Sequence, residues 1–414
     1  MRSTAAPAAR RGVLARTAFL LLGAAALQAA EAAPRIAPLP ESQWQDEHRA
    51  IVAEHGPQGR ATNLIATYLH HPSLAASLLP FERYVASGST LPARHRYLLA
   101  LRTAWLTGSE YLWAHRAAAA LADGLSAEDL ERVARGPDAP GWDAFEAAVL
   151  RAADELHVDA FVSDSTWETL AGDYETAQLI DLPFTVGAFT ALAGIANSVG
   201  VEIEPELDER FPSGIARVPA AERTNKRLIG LEPRIPPLPR EQWSDGMREL
   251  LDPSNTNRPI ANVYPTYAQS LEMDLLRRPV GEHIRNDTTL TDRQREILLL
   301  RIGVLCRAEY EWAAHYRIGR RIGLSEEDIE RIVAGPDQGG VDPVENLLMR
   351  ATDELFENDV VSDATWEALA REFDTRQMLD ILLAVGGYRM FSMAMNTYGV
   401  QLDPDSTRFP PHLR

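Results

Sequence analysis

The chain has 414 residues, of which 45% are hydrophobic and 24% charged, and its 59 acidic and 41 basic residues give a net charge of -18. This composition is typical of a soluble globular protein, and the length allows two to three domains. A surface this negative disfavours nucleic acid and anionic membranes as partners. Because Cys306 is the only cysteine, an intrachain disulfide or dithiol redox centre is excluded.

Residues 1–33 have the pattern of an export signal. Arg10, Arg11 and Arg16 precede an uncharged run over 17–30, and small residues at 30 and 32 have the spacing that a signal peptidase reads. The run is too short to cross a hydrocarbon core of about 30 Å, which disfavours a membrane anchor. We therefore expect a periplasmic or secreted protein that has no membrane contact after signal removal. The segment 10–14 also resembles a twin-arginine signal.

Most of the remaining chain is a tandem repeat with a displacement of 199 residues, so that Pro34 corresponds to Pro233. The displacement holds without a gap from residue 34 to about residue 204. We predict a first repeat over 34–204, a linker over 205–232 and a second repeat over 233–414. Matching segments include the following: PRI at 34 and 233, PLP at 38 and 237, GLS at 124 and 323, GPD at 136 and 335, and DEL at 154 and 353.

Each repeat is predicted to be all-α. In the second repeat, the spacing of apolar residues and the capping residues predict helices over 290–304, 309–322, 325–333, 343–357, 362–373 and 375–398. The Pro-rich start of each repeat is predicted to be an extended arm followed by one or two helices. The last helix is apolar on more than one face, so it packs within the chain or in a homo-oligomer.

Ionisable groups are concentrated in the otherwise largely apolar stretch 296–315. Glu311 and His315 are four residues apart, so on a helix they share one face and can meet. A surface ion pair is the alternative interpretation of this spacing. The first repeat has Leu112 at the position of Glu311, which indicates a buried face.

The repeat separates shared residues from those that differ. Glu309, Tyr310 and Trp312 recur in the first repeat and are interpreted as scaffold. Glu296, Glu311 and His315 correspond instead to Tyr97, Leu112 and Arg116. His115 is one position out of register and is not a substitute, because it is turned by about 100° around the helix. The candidate chemistry is therefore confined to the second repeat.

The stretch 296–315 resembles the carboxymuconolactone decarboxylase family, which includes the alkyl hydroperoxidase D-like proteins. The peroxidase branch of that family has a glutamate followed by Cys-x-x-Cys-x-x-x-His. Alignment on His315 places Glu296 on the glutamate, while Ala308 and Glu311 occupy the cysteine positions. Cys306 lies two positions from the nearer cysteine site, so the paired-thiol relay is missing and a core role is favoured for this thiol.

The resemblance implies an oligomeric all-helical enzyme that performs acid-base chemistry on a small carboxylate, lactone or carbonyl compound without an organic cofactor or metal. His315, Glu296 and Glu311 are its predicted catalytic residues. Four residues are predicted to bind substrate: Arg301, Arg307, Tyr310 and Trp312. The alternatives are a peroxidase-related antioxidant protein, a non-catalytic helical binding module, and a metal site formed by Glu311, His315 and either Glu309 or Glu296.

The remaining histidines are interpreted as capping or packing residues. His71 corresponds to Ser270 in the other repeat, and His283 corresponds to Tyr84.

Overall fold

The computed structural model describes residues 33–217, 232–338 and 342–410 together with Leu413. These residues contain eighteen α-helices and no β-strand, which confirms the all-α prediction. The predicted signal lies outside the described residues apart from Ala33, as does most of the second half of the predicted linker. The described residues from Pro34 onward form one compact unit.

Nine helices of the first repeat recur as nine helices of the second repeat. The first nine are α1 (Asp46–His55), α2 (Asn63–Tyr68), α3 (Pro72–Arg83), α4 (Ala93–Leu106), α5 (Glu110–Ala122), α6 (Ala127–Arg135), α7 (Ala144–Asp159), α8 (Asp164–Asp173) and α9 (Thr176–Val199). The second nine are α10 (Asp245–Leu251), α11 (Val263–Tyr267), α12 (Leu271–Glu282), α13 (Asp292–Leu305), α14 (Glu309–Arg321), α15 (Glu326–Ala334), α16 (Pro343–Asn358), α17 (Asp363–Leu369) and α18 (Thr375–Tyr398). A π-helical turn follows α3 and α12, at Tyr84–Gly88 and His283–Asp287.

Helix ends follow local capping chemistry. The side chain of Asp374 accepts the backbone N–H of Gln377 at the start of α18, and Gly399 ends that helix in the left-handed region at φ 67°. These caps explain why α18 spans the predicted residues. Helix α17 ends at Leu369, before the predicted end at residue 373. The residues that follow it form turns instead of a further helical turn.

The long helices α9 and α18 pack closely against each other. A Cβ atom at Gly187 would lie 2.6 Å from Cγ of Met390, and one at Gly386 would lie 2.8 Å from Cβ of Ala191. Gly187 and Gly386 correspond to each other in the repeat, so the two helices touch through equivalent glycines. Both helices are long and apolar enough to cross a membrane, but the described structure buries 100% and 94% of their most apolar windows. They are therefore packed as core helices.

Each repeat holds the N-terminal arm of the other. In the first arm, Arg35 donates to the carbonyl of Val361 at 2.8 Å and pairs with Asp363. In the second arm, Arg234 donates to the carbonyl of Val162 at 2.7 Å and pairs with Asp164. These reciprocal contacts relate the two repeats by an approximate twofold axis.

A buried arginine without a counterpart in the first repeat also joins the two repeats. Arg389 on α18 is 3% exposed and lies 2.7 Å from Oδ1 of Asp359, while its Nη2 donates to the carbonyl of His157 at 3.0 Å. The first repeat has Thr190 and Ala160 at the positions of Arg389 and Asp359. The interface between the repeats is therefore asymmetric in charge.

Candidate active site

The turn between α13 and α14 brings the candidate catalytic residues together. Helix α13 begins with a capping box in which Thr291 and Gln294 satisfy each other's backbone N–H groups. Arg307 then takes a left-handed conformation at φ 53°, where the first repeat has Gly108 at φ 66°. This turn reverses the chain, so that the second turn of α13 faces the second turn of α14. Glu296 and His315 lie on these facing turns.

Glu296, His315 and Glu311 form a continuous buried array. Nδ1 of His315 lies 2.7 Å from Oε2 of Glu296, and its Nε2 lies 3.1 Å from Oε1 of Glu311. The exposed side-chain fractions are 1% for Glu296, 5% for His315 and 10% for Glu311. Both ring nitrogens face carboxylate oxygens, which only accept hydrogen bonds when ionised. The arrangement is therefore that of an imidazolium between two carboxylates.

Electrostatics favours the protonated ring. Burial by itself would lower the pKa of His315, but the charge and hydrogen bond of Glu296, followed by those of Glu311, raise that pKa to about 9. Arg295 supplies a second positive charge, since its Nε donates to Oε1 of Glu296 at 3.1 Å. Two positive and two negative groups thus balance one another in a largely buried site, with Glu311 its most exposed carboxylate.

The free energy of unfolding should depend on pH because of the His315 imidazole. The folded-state pKa of about 9 exceeds the ordinary value of 6.5, so the folded chain holds a proton that the unfolded chain releases between these values. The resulting stabilisation is complete below pH 6.5 and is lost as the pH rises through about 9. We expect wild type to lose about 3 kcal/mol relative to the His315→Gln variant over this window. Urea unfolding of both chains from pH 6 to pH 10 measures it, and parallel pH curves would contradict the assigned ionisation.

Two residues outside the predicted set complete the surroundings of His315. The Tyr388 ring lies edge-on to the imidazole at 4.9 Å between centroids. Burial raises the pKa of Tyr388 well above its ordinary value, the charge of Glu311 adds to this, and Arg285 opposes it. Tyr388 corresponds to Phe189, so the comparison of repeats contained a signal for it. Arg295 gave no such signal because Arg96 occupies its position in the first repeat.

The four residues predicted to bind substrate are placed away from this array or engaged with other groups. Arg301 donates to both oxygens of Asp353 at 2.6 and 2.7 Å and to two backbone carbonyls. Arg102 makes the equivalent contacts to Asp154 in the first repeat, which gives this arginine a structural role in both. Arg307 forms the tight turn described above.

The two aromatic residues pack against the C-terminal segment. The Tyr310 hydroxyl donates to Oδ2 of Asp403 at 2.7 Å, and Tyr310 lines a cavity of about 200 Å³ on a different face of α14 from His315. Trp312 packs against Phe409 at 5.2 Å between centroids and lines a second cavity of about 630 Å³. Neither cavity is lined by the Glu296–His315–Glu311 array. Substrate binding by these four residues stays a prediction.

The corresponding positions of the first repeat make different contacts. The Tyr97 hydroxyl donates to Asp123 at 2.5 Å, and Leu112 is buried. Burial lowers the pKa of Arg116, whose guanidinium lies 5.8 Å from the Phe189 ring. His115 pairs with Glu204 at 2.6 Å rather than joining these residues. The Glu–His–Glu array is thus a property of the second repeat.

The geometry disfavours a metal at this array. The two carboxylates approach opposite nitrogens of one imidazole, so a single ion cannot reach all three side chains. Glu309, the other residue considered for such a site, accepts the backbone N–H of Phe409 at 3.1 Å. In the part of the chain that the structure describes, the group of acidic and histidine side chains with metal-compatible spacing lies elsewhere, at His71, His283 and Asp380.

Cys306 is 1% exposed and follows the last residue of α13. Its backbone carbonyl accepts a hydrogen bond from Asn396 at 2.9 Å, and the equivalent Asn197 binds the carbonyl of Thr107 at the same distance. The residue therefore belongs to a turn that is anchored in the same way in both repeats, with Thr107 in place of the thiol in the first repeat.

The fold and the site define a tandem all-helical protein with a buried Glu–His–Glu array in its second half. The sequence profile of the Carboxymuconolactone decarboxylase family matches the chain twice, at residues 72–155 and 276–354. One match falls in each repeat, which confirms the resemblance to this family and its tandem arrangement. No curated protein matches the chain.

Proposed function

We propose that the second repeat is a carboxymuconolactone decarboxylase-like active site, which uses Glu/His acid-base chemistry on a small carboxylate, lactone or carbonyl compound and needs no organic cofactor. The observation that carries this proposal is the buried, hydrogen-bonded Glu296–His315–Glu311 array. A surface ion pair would not be enclosed in this way. The resemblance to the family supports the same class of chemistry.

The array is suited to supplying a proton to carbon. Loss of carbon dioxide leaves the bonding electron pair on the substrate, where a neighbouring carbonyl or lactone holds it as an enolate. His315 holds a proton at neutral pH because its pKa is raised to about 9. Glu311 is the most exposed member, so we assign it the transfer of that proton from His315 to the enolate carbon. A proton from water restores the imidazolium, and the reaction consumes one proton for each carbon dioxide released.

Glu296 has a different role in this proposal. It is 1% exposed and contacts Nδ1 of His315, the nitrogen opposite Glu311. Its hydrogen bond fixes the ring plane, and its charge favours the imidazolium. Arg295 in turn holds the carboxylate of Glu296. Glu296 is therefore a positioning residue, whereas Glu311 and His315 move the proton.

The peroxidase-related alternative has less support. A lone thiol attacked by peroxide needs a partner thiol from outside the chain, and Cys306 is 1% exposed in its anchored turn. A non-catalytic binding module predicts dispersed surface residues instead of the converging buried array. We therefore keep the acid-base enzyme as the proposed function.

The proposed reaction is tested by offering the full chain a panel of carboxylated lactones and unsaturated carboxylic acids, including carboxymuconolactone, in deuterated buffer. We expect carbon dioxide release and deuterium at the carbon that carried the carboxylate, both lowered about 100-fold or more by Glu311→Gln. Glu110→Gln, which alters an exposed carboxylate at the start of α5, is the matched control and should leave the rate unchanged. Panel compounds that all stay intact with wild type, or equal rates in the Glu311 variant, would contradict the proposal.

A further inference from the structure

A second cluster of buried polar side chains lies where the two repeats meet. Asp380 on α18 is 2% exposed. Its Oδ1 lies 2.8 Å from Nε2 of His283, and its Oδ2 lies 3.2 Å from Nε2 of His71. Thr289 donates its backbone N–H and its hydroxyl to Oδ2 at 2.6 and 2.7 Å. The cluster thus combines two imidazoles from different repeats with one carboxylate.

The approximate twofold axis generates an equivalent cluster around Asp181 on α9. There Oδ2 of Asp181 accepts the Tyr84 hydroxyl at 2.9 Å and both Thr90 donors at 2.7 Å. Oδ1 accepts the hydroxyl of Ser270, which comes from the other repeat, at 2.9 Å. Three hydroxyl groups and one backbone N–H therefore donate to this buried aspartate. The fold itself does not require histidine at either position.

Two equivalent positions contact each aspartate, and both are histidine at Asp380 whereas neither is histidine at Asp181. His283 takes the place of Tyr84, and His71 takes the place of Ser270. These two differences lie in different repeats and 212 residues apart in sequence (283 minus 71), yet both side chains converge on one carboxylate. If each side chain served only as a hydrogen-bond donor, either histidine could be present without the other. The pairing indicates a ligand that needs both imidazoles.

The spacing of the three side chains fits a metal ion. One ligand atom from each of His71, His283 and Asp380 lies within 4.8 Å of the others. A tetrahedral ion with ligands at about 2.1 Å would separate them by about 3.4 Å, so small side-chain shifts would complete the geometry. Nδ1 of His71 lies 3.2 Å from the Ser73 hydroxyl, the kind of outer contact that fixes a metal-binding imidazole. Imidazole and carboxylate together suit a divalent first-row transition metal.

We propose that His71, His283 and Asp380 bind a divalent transition-metal ion, with Zn²⁺ as the first candidate, at the junction of the two repeats. The ion joins an imidazole that precedes α3 in the first repeat to an imidazole and a carboxylate of the second. This site is separate from the Glu296–His315–Glu311 array and does not rest on the function proposed for it. Thr289 orients the carboxylate through the two hydrogen bonds that it donates.

The test compares full-length wild type with the double variant His71→Ser/His283→Tyr. This variant places around Asp380 the residue types that surround Asp181, so its packing has a precedent in the same molecule. Both chains are prepared without a histidine tag, dialysed against chelator and titrated with Co²⁺, followed by Zn²⁺ competition. Tyr84→Phe, which removes one hydrogen bond at the Asp181 cluster, is the matched control.

We expect wild type and Tyr84→Phe to bind about one Co²⁺ per chain, with visible d–d absorption that Zn²⁺ displaces. The double variant should lose about 100-fold or more in affinity while keeping its helical circular dichroism. Zn²⁺ should also raise the unfolding temperature of wild type but not that of the double variant, because the ion binds only the folded site. Absence of uptake by wild type, or equal uptake by the folded double variant, would overturn the proposal.

Discussion

Replacing His315 with glutamine is expected to lower kcat by about 100- to 10,000-fold on any substrate that the wild-type chain decarboxylates. Glutamine has a similar length and can still donate a hydrogen bond to Glu296. It cannot hold and release a proton near neutral pH, so the transfer to Glu311 is lost. Because a missing proton donor affects the chemical step, KM should change much less than kcat.

The measurement is initial-rate kinetics of carbon dioxide release for wild type and His315→Gln, with circular dichroism to confirm that the variant folds. His115→Gln is the matched control, since that histidine is one residue out of register and pairs with Glu204 in the first repeat. The control should keep nearly full activity. A folded His315→Gln variant with wild-type kcat would remove this residue from the mechanism.

Replacing Arg389 with threonine is expected to lower the free energy of unfolding by about 3–5 kcal/mol. The change leaves Asp359, which is 3% exposed, without its guanidinium partner. The contact from Arg389 to the carbonyl of His157 is lost as well, and with it a link between the repeats. The buried carboxylate keeps only Nε2 of His157 at 3.7 Å, and burial lowers the pKa of that ring, so the poorly compensated charge accounts for most of the expected cost.

Urea unfolding near pH 7 measures this loss, and a second substitution isolates its cause. The double variant Arg389→Thr/Asp359→Ala installs the pair found in the first repeat, where Ala160 takes the same left-handed conformation at φ 52°. It should recover a large part of the lost stability because no charge remains buried alone. If the double variant is no more stable than the single one, lost packing rather than the stranded carboxylate explains the effect.

Local chemistry explains how much of the fold the sequence could predict. The start and end of α18 follow from a capping carboxylate and a left-handed glycine, both of which are visible in a few residues. The arm regions were predicted less fully, because α10 and α11 are short and carry little periodicity. Their packing comes from contacts with distant residues, such as the hydrogen bond from the backbone of Asn262 to Asp403.

The contacts of the candidate sites also differ in whether a local sequence pattern predicts them. The contact between Glu311 and His315 follows from helical spacing, and Glu296 was found through the family resemblance. The contact between His71 and Asp380 joins residues separated by 309 positions, which no local pattern encodes. The comparison of repeats had nevertheless marked both His71 and His283 as differing from their counterparts. Glu296 and His315 differ from their counterparts in the same way, so the sequence contains a comparable signal for both pairs.

The reciprocal docking of the two arms makes the molecule resemble a dimer whose subunits have been joined in one chain. In a dimer of identical subunits, any substitution appears twice, so both interface aspartates would acquire the same neighbours. Covalent linkage of the two repeats removes that constraint, because each half can then change independently. At the two positions where their neighbours differ, one aspartate of this chain contacts the hydroxyls of Tyr84 and Ser270, and the other contacts two imidazoles. Covalent linkage has therefore allowed one interface to hold two different local chemistries, which symmetric assembly would forbid.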